Sequence, residues 1–247
     1  MIPTPQPWST GPHEILYHAI SLLKNDSDTH RRLAMILVDN AVEQMIKTYL
    51  NLPKRISGLS VPRAKREQIA ESFPAMLDAL EDFAADKLVG VDLGNIEWYH
   101  RLRNQLYHEG FGLTVARVHV EVYAELANAL FKNLFGFALP ATSPLGTNDR
   151  LAELIQLWNM LESGLIELAS RHSLLGDRRT PIDAMRLLNG AALIEDDELK
   201  ELTELRQIRN AVVHGQDDHR KLLTDDVMTR LRYYTERYRE DDDTKSV

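Results

Sequence analysis

Apolar residues recur at intervals of three and four along most of the chain. Between Leu33 and Tyr49 the run Leu33, Ile36, Leu37, Ala41, Val42, Met45, Ile46 and Tyr49 forms one long amphipathic stretch. That period matches the 3.6-residue turn of an α-helix. Glycine and proline fall between such stretches, and no two alternating runs are joined by a hairpin turn. The pattern predicts helices near 12–24, 28–51, 64–87, 94–109 and 114–135, then near 148–172, 180–189, 196–213 and 224–240. Asp28 is the expected N-cap of the second helix, and Gly136 the stop of the fifth. Thr180-Pro181-Ile182-Asp183 has the order of a helix start, with Thr as cap and Pro at the first helical position. Gly190 is expected to close that helix, and Asp196 with Asp197 to begin the next.

The periodicity lapses over Gly136-Phe137-Ala138-Leu139-Pro140-Ala141-Thr142-Ser143-Pro144-Leu145-Gly146-Thr147. Proline, glycine and small residues there mark a linker. The expected organisation is all-α, with one helical bundle over 1–137, a linker over 138–147 and a related bundle over 148–247. The acidic end Glu240-Asp241-Asp242-Asp243 reads as solvated tail with no function.

The halves share an order of features. The first contains Arg103-Asn104-Gln105-Leu106-Tyr107-His108-Glu109-Gly110, and the second Arg209-Asn210-Ala211-Val212-Val213-His214-Gly215. Each delivers Arg-Asn, a His four residues after the Asn, and then a glycine. Each is followed by a long helix beginning near a threonine, Thr114 or Thr224. Each is preceded by a long helix with a mid-helix glutamate, Glu43 or Glu162, read as structural. Such a repeated order is what an internal duplication leaves. With 20 arginines and nine histidines, chance gives roughly 0.7 Arg-His pairs at this spacing. Two occur, both with Asn directly after the Arg.

On a helix advancing about 100° per residue, Trp98, Leu102 and Leu106 line up as the expected core stripe. Asn104 and His108 fall on the far side, with Arg103 and Tyr107 between. In the second copy Leu205, Ile208 and Val212 are expected inward, and Asn210 and His214 outward. The two histidines are therefore expected to be displayed rather than packed. The bland explanation is a His near a helix C-terminus, favoured there by the helix dipole.

Composition narrows the chemistry. The chain has no cysteine, which excludes thiolate metal sites, disulfides and a cysteine nucleophile. A net charge of −8 argues against a protein that coats nucleic acid with its whole surface. Arginines outnumber lysines 20 to nine, favouring planar recognition of phosphate or carboxylate at a local site. No Gly-rich phosphate loop and no His-Glu-x-x-His zinc signature is present. His13 and His18 read as surface residues, and His100 and His108 as too far apart to pair. No signal peptide or membrane span is visible, so a cytoplasmic protein is expected.

The two Arg-Asn-x-x-x-His segments resemble the motif of the HEPN superfamily, helical bundles carrying an Arg and, after four to six residues, a His near a helix end. The resemblance is carried by about a tenth of the chain, with the helix order extending it loosely. It implies paired bundles whose motifs meet in a cleft that cuts RNA without a metal or other cofactor. The implied catalytic residues are Arg103, Asn104, His108, Arg209, Asn210 and His214. The chemistry agrees: RNA brings its own 2′-OH nucleophile, and His can act as base and acid. Arg steadies charge growing on the phosphate. The resemblance further implies RNA as substrate, and an antitoxin or anti-phage defence protein as partner. Pairing could be within one chain or in a homodimer. Two other readings stand beside it: a non-catalytic HEPN-like module that binds a protein or nucleotide, and a helical scaffold whose motif only caps helices.

Overall fold

A computed structural model describes residues 6–108, 114–137, 149–175, 181–214 and 219–239. Among the described residues there is helix and no strand, as the periodicity predicts. The chain divides into two compact units, Met1–Asn148 and Asp149–Val247. The expected linker 138–147, the Thr180 cap and the acidic tail lie outside the described residues.

Unit 1 contains α1 (Thr10–Leu22), α2 (Asp28–Asn51), α3 (Lys54–Ser57), α4 (Arg63–Glu71), α5 (Phe73–Ala84), α6 (Leu93–His108) and α7 (Arg117–Phe135). The central element is α2, packed by α1, α7, α5, α6 and α4. Its buried residues Ala34, Met35, Val38, Ala41, Val42, Met45, Ile46, Tyr49 and Leu50 follow helical spacing. Ser27, not Asp28, is the N-cap: its hydroxyl accepts the His30 N–H, while Asp28 sits in the first turn where the helix dipole favours an acid.

The expected single helix over 64–87 is two. Pro74 has no N–H to continue a helix from the preceding turn and its ring clashes with the carbonyl four residues earlier, but it is tolerated in the first turn of a new helix; the break falls at Ser72, extended at φ −151° and ψ 149°. The Ser72 hydroxyl then caps α5 by accepting from the Ala75 N–H. Gly136 ends α7 as expected, in the left-handed region at φ 80°, with its N–H on the Lys132 carbonyl. Ala116, rather than Thr114, occupies the N-cap position of α7.

Unit 2 contains α8 (Asp149–Arg171), α9 (Pro181–Gly190), α10 (Asp196–Val213), α11 (His219–Leu222) and α12 (Asp225–Arg237). Trp158 of α8 is buried with Leu154, Leu161 and Leu165. Thr224 caps α12 through the Val227 N–H. Acidic α10 residues meet α12: Glu198 accepts from Tyr238, Glu201 from Tyr234 and Glu204 from Arg230. Where α12 ends, its backbone closes on α8, so that a β-carbon on Gly164 would lie 1.8 Å from the Tyr238 carbonyl oxygen. Gly190 is the last helical residue of α9. The left-handed reversal falls on Ala192, at φ 57°, and the Leu193 N–H returns to the Leu188 carbonyl.

Candidate functional site

Asp39 interrupts the apolar face of α2 and is 0% exposed. A carboxylate removed from water must be met by donors and charge, and three side chains supply them. His100 Nδ1 lies 3.0 Å from Oδ1 and 3.1 Å from Oδ2. The Tyr123 hydroxyl of α7 donates to Oδ1 at 2.8 Å. Arg103 Nε sits 2.8 Å from Oδ2, but its N–H is not aimed along that line, making this an ion pair rather than a directed hydrogen bond.

These groups close into a ring. Facing a carboxylate, His100 Nδ1 carries the proton, which leaves Nε2 as an acceptor. Asn104 Nδ2, 3.0 Å away, donates to it. Asn104 Oδ1 then accepts from Arg103 Nη1 at 2.8 Å, and Arg103 returns to Asp39. The orientation of the Asn104 amide follows from its having a donor on one side and an acceptor on the other.

Two aromatic contacts hold the ring in place. Phe73, the first residue of α5, lies flat on His100 with ring centres 3.8 Å apart and planes 3° from parallel. The break at Ser72 is therefore what delivers this side chain. Tyr99 stacks on Tyr123 at 4.8 Å and 11°. Burial, and then the neighbouring Asp39 carboxylate, raise the Tyr123 phenol well above its ordinary pKa, so it remains a donor.

In unit 2 the Arg-Asn clasp recurs. Arg209 Nη1 donates to Asn210 Oδ1 at 3.0 Å. Arg209 is 5% exposed and shares the buried side of α10 with Leu202, Leu205 and Val212. His214 takes the C-cap position of α10, half-buried, with its N–H on the Asn210 carbonyl at 2.9 Å. Glu162, Arg209 and His214 all take part in further interactions.

The expected helix faces need correction. In α6 the buried line is Ile96 and Tyr99, while Trp98, Leu102 and Leu106 are only partly buried, as is Arg103, whose side chain turns to Asp39. In α10 Arg209 takes the inward place expected of Ile208, which is half-buried. Arg103 was expected between the two faces from the helical angle alone, and the second copy likewise. In unit 1 the buried Asp39 is what turns Arg103 toward it. Asn104 and Asn210 are half-buried. The backbone of His108 ends α6, and its side chain lies outside the described residues.

Glu43, read as structural, pairs with Lys47 at 2.5 Å on the partly exposed side of α2. Asp39, His100, Tyr123 and Phe73 complete the site and were not expected from the sequence. The available signal was an Asp between Val38 and Val42 on an apolar face, with His100 four residues before Asn104. Among the described residues no group of three or more histidines and carboxylates is placed to hold a metal ion, and no helix is long and apolar enough to cross a membrane. No family model, no curated protein and no solved structure matches the chain.

Proposed function

We propose that this protein is a metal-independent endoribonuclease of the HEPN type. The observation that carries the reading is the ring of Asp39, His100, Asn104 and Arg103. It fixes a permanent cation and an amide on α6 directly ahead of His108, and commits Asn104 to orienting rather than to chemistry. The reaction needs a base to take the 2′-OH proton, an acid to protonate the departing 5′-oxygen, and a cation beside the phosphate. His108 and His214, the histidines of the two motifs, are the residues assigned to proton transfer. Arg103 is the assigned cation, with an exposed fraction of 21% and Nη2 without a partner among the described residues. Asp39 and His100 are positioning residues that act through Arg103 and Asn104.

The test is cleavage of a labelled RNA by purified full-length protein. Activity should survive EDTA and leave a 2′,3′-cyclic phosphate, because the nucleophile is the substrate's own hydroxyl. His108→Ala and His214→Ala should each abolish it while the protein stays folded. Arg103→Lys is a better probe than Arg103→Ala, because lysine keeps a positive charge beside the buried Asp39. It should lower kcat through loss of the planar fork. Strict dependence on a divalent cation, with DNA cut as readily as RNA, overturns the mechanism.

One observation favours a second reading, a non-catalytic binding module. Arg209 is turned into its own unit, where a substrate phosphate does not reach it. If the histidine variants lose a protein or nucleotide partner while the wild type cleaves no RNA, this reading replaces the first.

A further inference from the structure

The helix α10 has two unlike flanks. Glu198, Glu201 and Glu204 lie on one, where they accept from Tyr238, Tyr234 and Arg230. At about 100° per residue, the opposite flank carries Leu199, Thr203, Arg206, Asn210 and His214, none of them acidic. Arg206, Asn210 and His214 follow one another at intervals of four and are all half-buried. Residues four apart on a helix are surface neighbours, with β-carbons about 5–6 Å apart. A helical side chain also leans toward the N-terminus, which brings the Asn210 amide over the turn that holds Arg206.

On that flank a donor faces a donor. Asn210 Oδ1 is taken by Arg209 Nη1 at 3.0 Å, which leaves Nδ2 on the other branch of the amide. In unit 1 the same clasp turns Asn104 Nδ2 back to the residue four earlier, where His100 Nε2 accepts it. In unit 2 that place belongs to Arg206, which can only donate. Among the described residues Arg206 has neither a hydrogen bond nor a carboxylate partner, and Asn210 Nδ2 has no acceptor. Both groups reach solvent, unlike the sealed Arg66 Nε and Trp158 Nε1. Arg186 and Lys221 also lack a carboxylate among the described residues, but they are exposed and water serves them. Arg206 has lost part of its hydration beside a second donor, and nothing in the chain replaces it.

Two solvent-open donors on neighbouring positions, one of them a permanent cation, are complementary to an anion. A guanidinium fork beside an amide N–H suits phosphate, whose several oxygens accept from both at once. The C-terminal end of α10 opposes an anion with about half a charge, and the full charge of Arg206 exceeds that. From midway between Arg206 and Asn210 to His214 is roughly 9 Å of helix rise. Proton transfer requires approach to about 3 Å. A phosphate held here therefore flanks the linkage that His214 would serve, and Arg206 acts in binding rather than in chemistry.

We propose that Arg206 and Asn210 Nδ2 form a phosphate-binding site on α10 that holds an RNA phosphate next to the one cut. Naming RNA as the source of the phosphate rests on the ribonuclease reading, whereas the site itself rests on the two donors. It gives unit 2 the accessible cation that the buried Arg209 does not supply. A phosphate contact positions the strand and reads no sequence.

The test is fluorescence anisotropy of full-length protein with a labelled RNA oligonucleotide carrying 2′-O-methyl groups, which cannot be cut. Arg206→Gln should bind about tenfold more weakly at low salt, the loss of one charge-assisted contact. Its slope of log K against log salt should be shallower by about 0.7, the value for one phosphate on a single strand. Arg206→Lys should keep the slope with the charge and lose part of the affinity with the fork. Arg186→Gln, at an exposed arginine of α9, should match wild type in both. Removing an unpaired guanidinium should leave Tm within about 2 °C, so a binding loss is not a folding loss. A wild type that does not bind the oligonucleotide overturns the proposal, as does an equal loss in Arg186→Gln. Equal binding by wild type and Arg206→Gln overturns the assignment to RNA. It overturns the site as well if inorganic phosphate, at constant ionic strength, shifts Tm of both alike. If binding depends on Arg206 while wild type cleaves no RNA, the site stands and the nuclease reading falls. If wild type cleaves, Arg206→Gln should raise KM and keep kcat; an unchanged KM overturns the assignment to RNA and leaves the nuclease reading standing.

Discussion

The two Arg-Asn motifs are alike in the first contact they make and unlike in everything around it. Arg103 and Arg209 each donate Nη1 to the Asn that follows, at 2.8 Å and 3.0 Å. Three residues before Arg103 stands His100, which takes a bond from Asn104 and gives one to Asp39. Three residues before Arg209 stands Arg206, which has no acceptor to offer. Among the described residues Asn104 thus joins two side chains, whereas Asn210 bonds Arg209. A shared short motif therefore fixes a local clasp, while the residue one turn earlier decides whether the Asn also bonds a histidine; Arg209 has further interactions of its own. On this comparison the Asn of unit 1 bonds two side chains, and the Arg of unit 2 is the more fully buried, 5% exposed against 21% for the Arg103 side chain.

The largest effects should come from breaking each unit at its own weak point. Asp39→Ala leaves the Tyr123 hydroxyl and His100 Nδ1 without their acceptor and the partly buried Arg103 without its counter-charge, which should cost about 2–3 kcal/mol. Gly164→Ala drives a methyl into the Tyr238 carbonyl and should cost unit 2 about 1–3 kcal/mol through forced displacement of α12. In urea melts followed by hydrogen exchange, each substitution should lower protection mainly in its own unit. Equal loss throughout the chain would mean that the units unfold as one.

The pH response offers a sharper division. Burial, with Glu121 four residues earlier, raises Glu125 of α7 to about 7 from an ordinary 4.5. The folded chain therefore holds this proton more tightly than the unfolded chain. Protonated Glu125 is tolerated below about pH 4.5, and stability falls as pH rises toward 7 and stays lower above it. Glu125→Gln should be nearly neutral at pH 4.5 and stabilise by about 2–3 kcal/mol at pH 8, with the gain confined to unit 1. A variant whose advantage does not grow with pH contradicts this.

The smallest test bears directly on the motifs. Asn104→Ala removes two hydrogen bonds and leaves His100 Nε2 and Arg103 Nη1 unsatisfied, for about 1–2 kcal/mol. Asn210→Ala removes one, for about 0.5–1 kcal/mol. Thermal melts of the two variants should rank in that order. A reversed order would mean that the fuller network lies in unit 2.

Much of the fold was written in local pattern. α2, α8 and α10 follow the three-four spacing closely, because each needs an apolar side wherever it packs. Gly136 and Thr224 ended and began helices as their chemistry requires, through a left-handed turn and a hydroxyl cap. The motif residues Arg103, Asn104, Arg209, Asn210 and His214 were visible because two copies share one order. The break at Ser72 was legible too, since Pro74 forbids continuity, but the surrounding periodicity masked it.

What the sequence by itself determined is therefore helix type, most boundaries, the two-unit division and the existence of a repeated Arg-Asn motif. All of these depend on neighbours within a few turns. The tertiary structure alone decided which way the arginines point. A single helix offers no reason to turn Arg103 inward. That reason is Asp39, 64 positions away in the chain (103 minus 39), whose burial requires a cation and donors to compensate it. The same long-range demand enlists His100, Tyr123 and Phe73. Their roles follow from the charge they surround, and no local spacing encodes that charge.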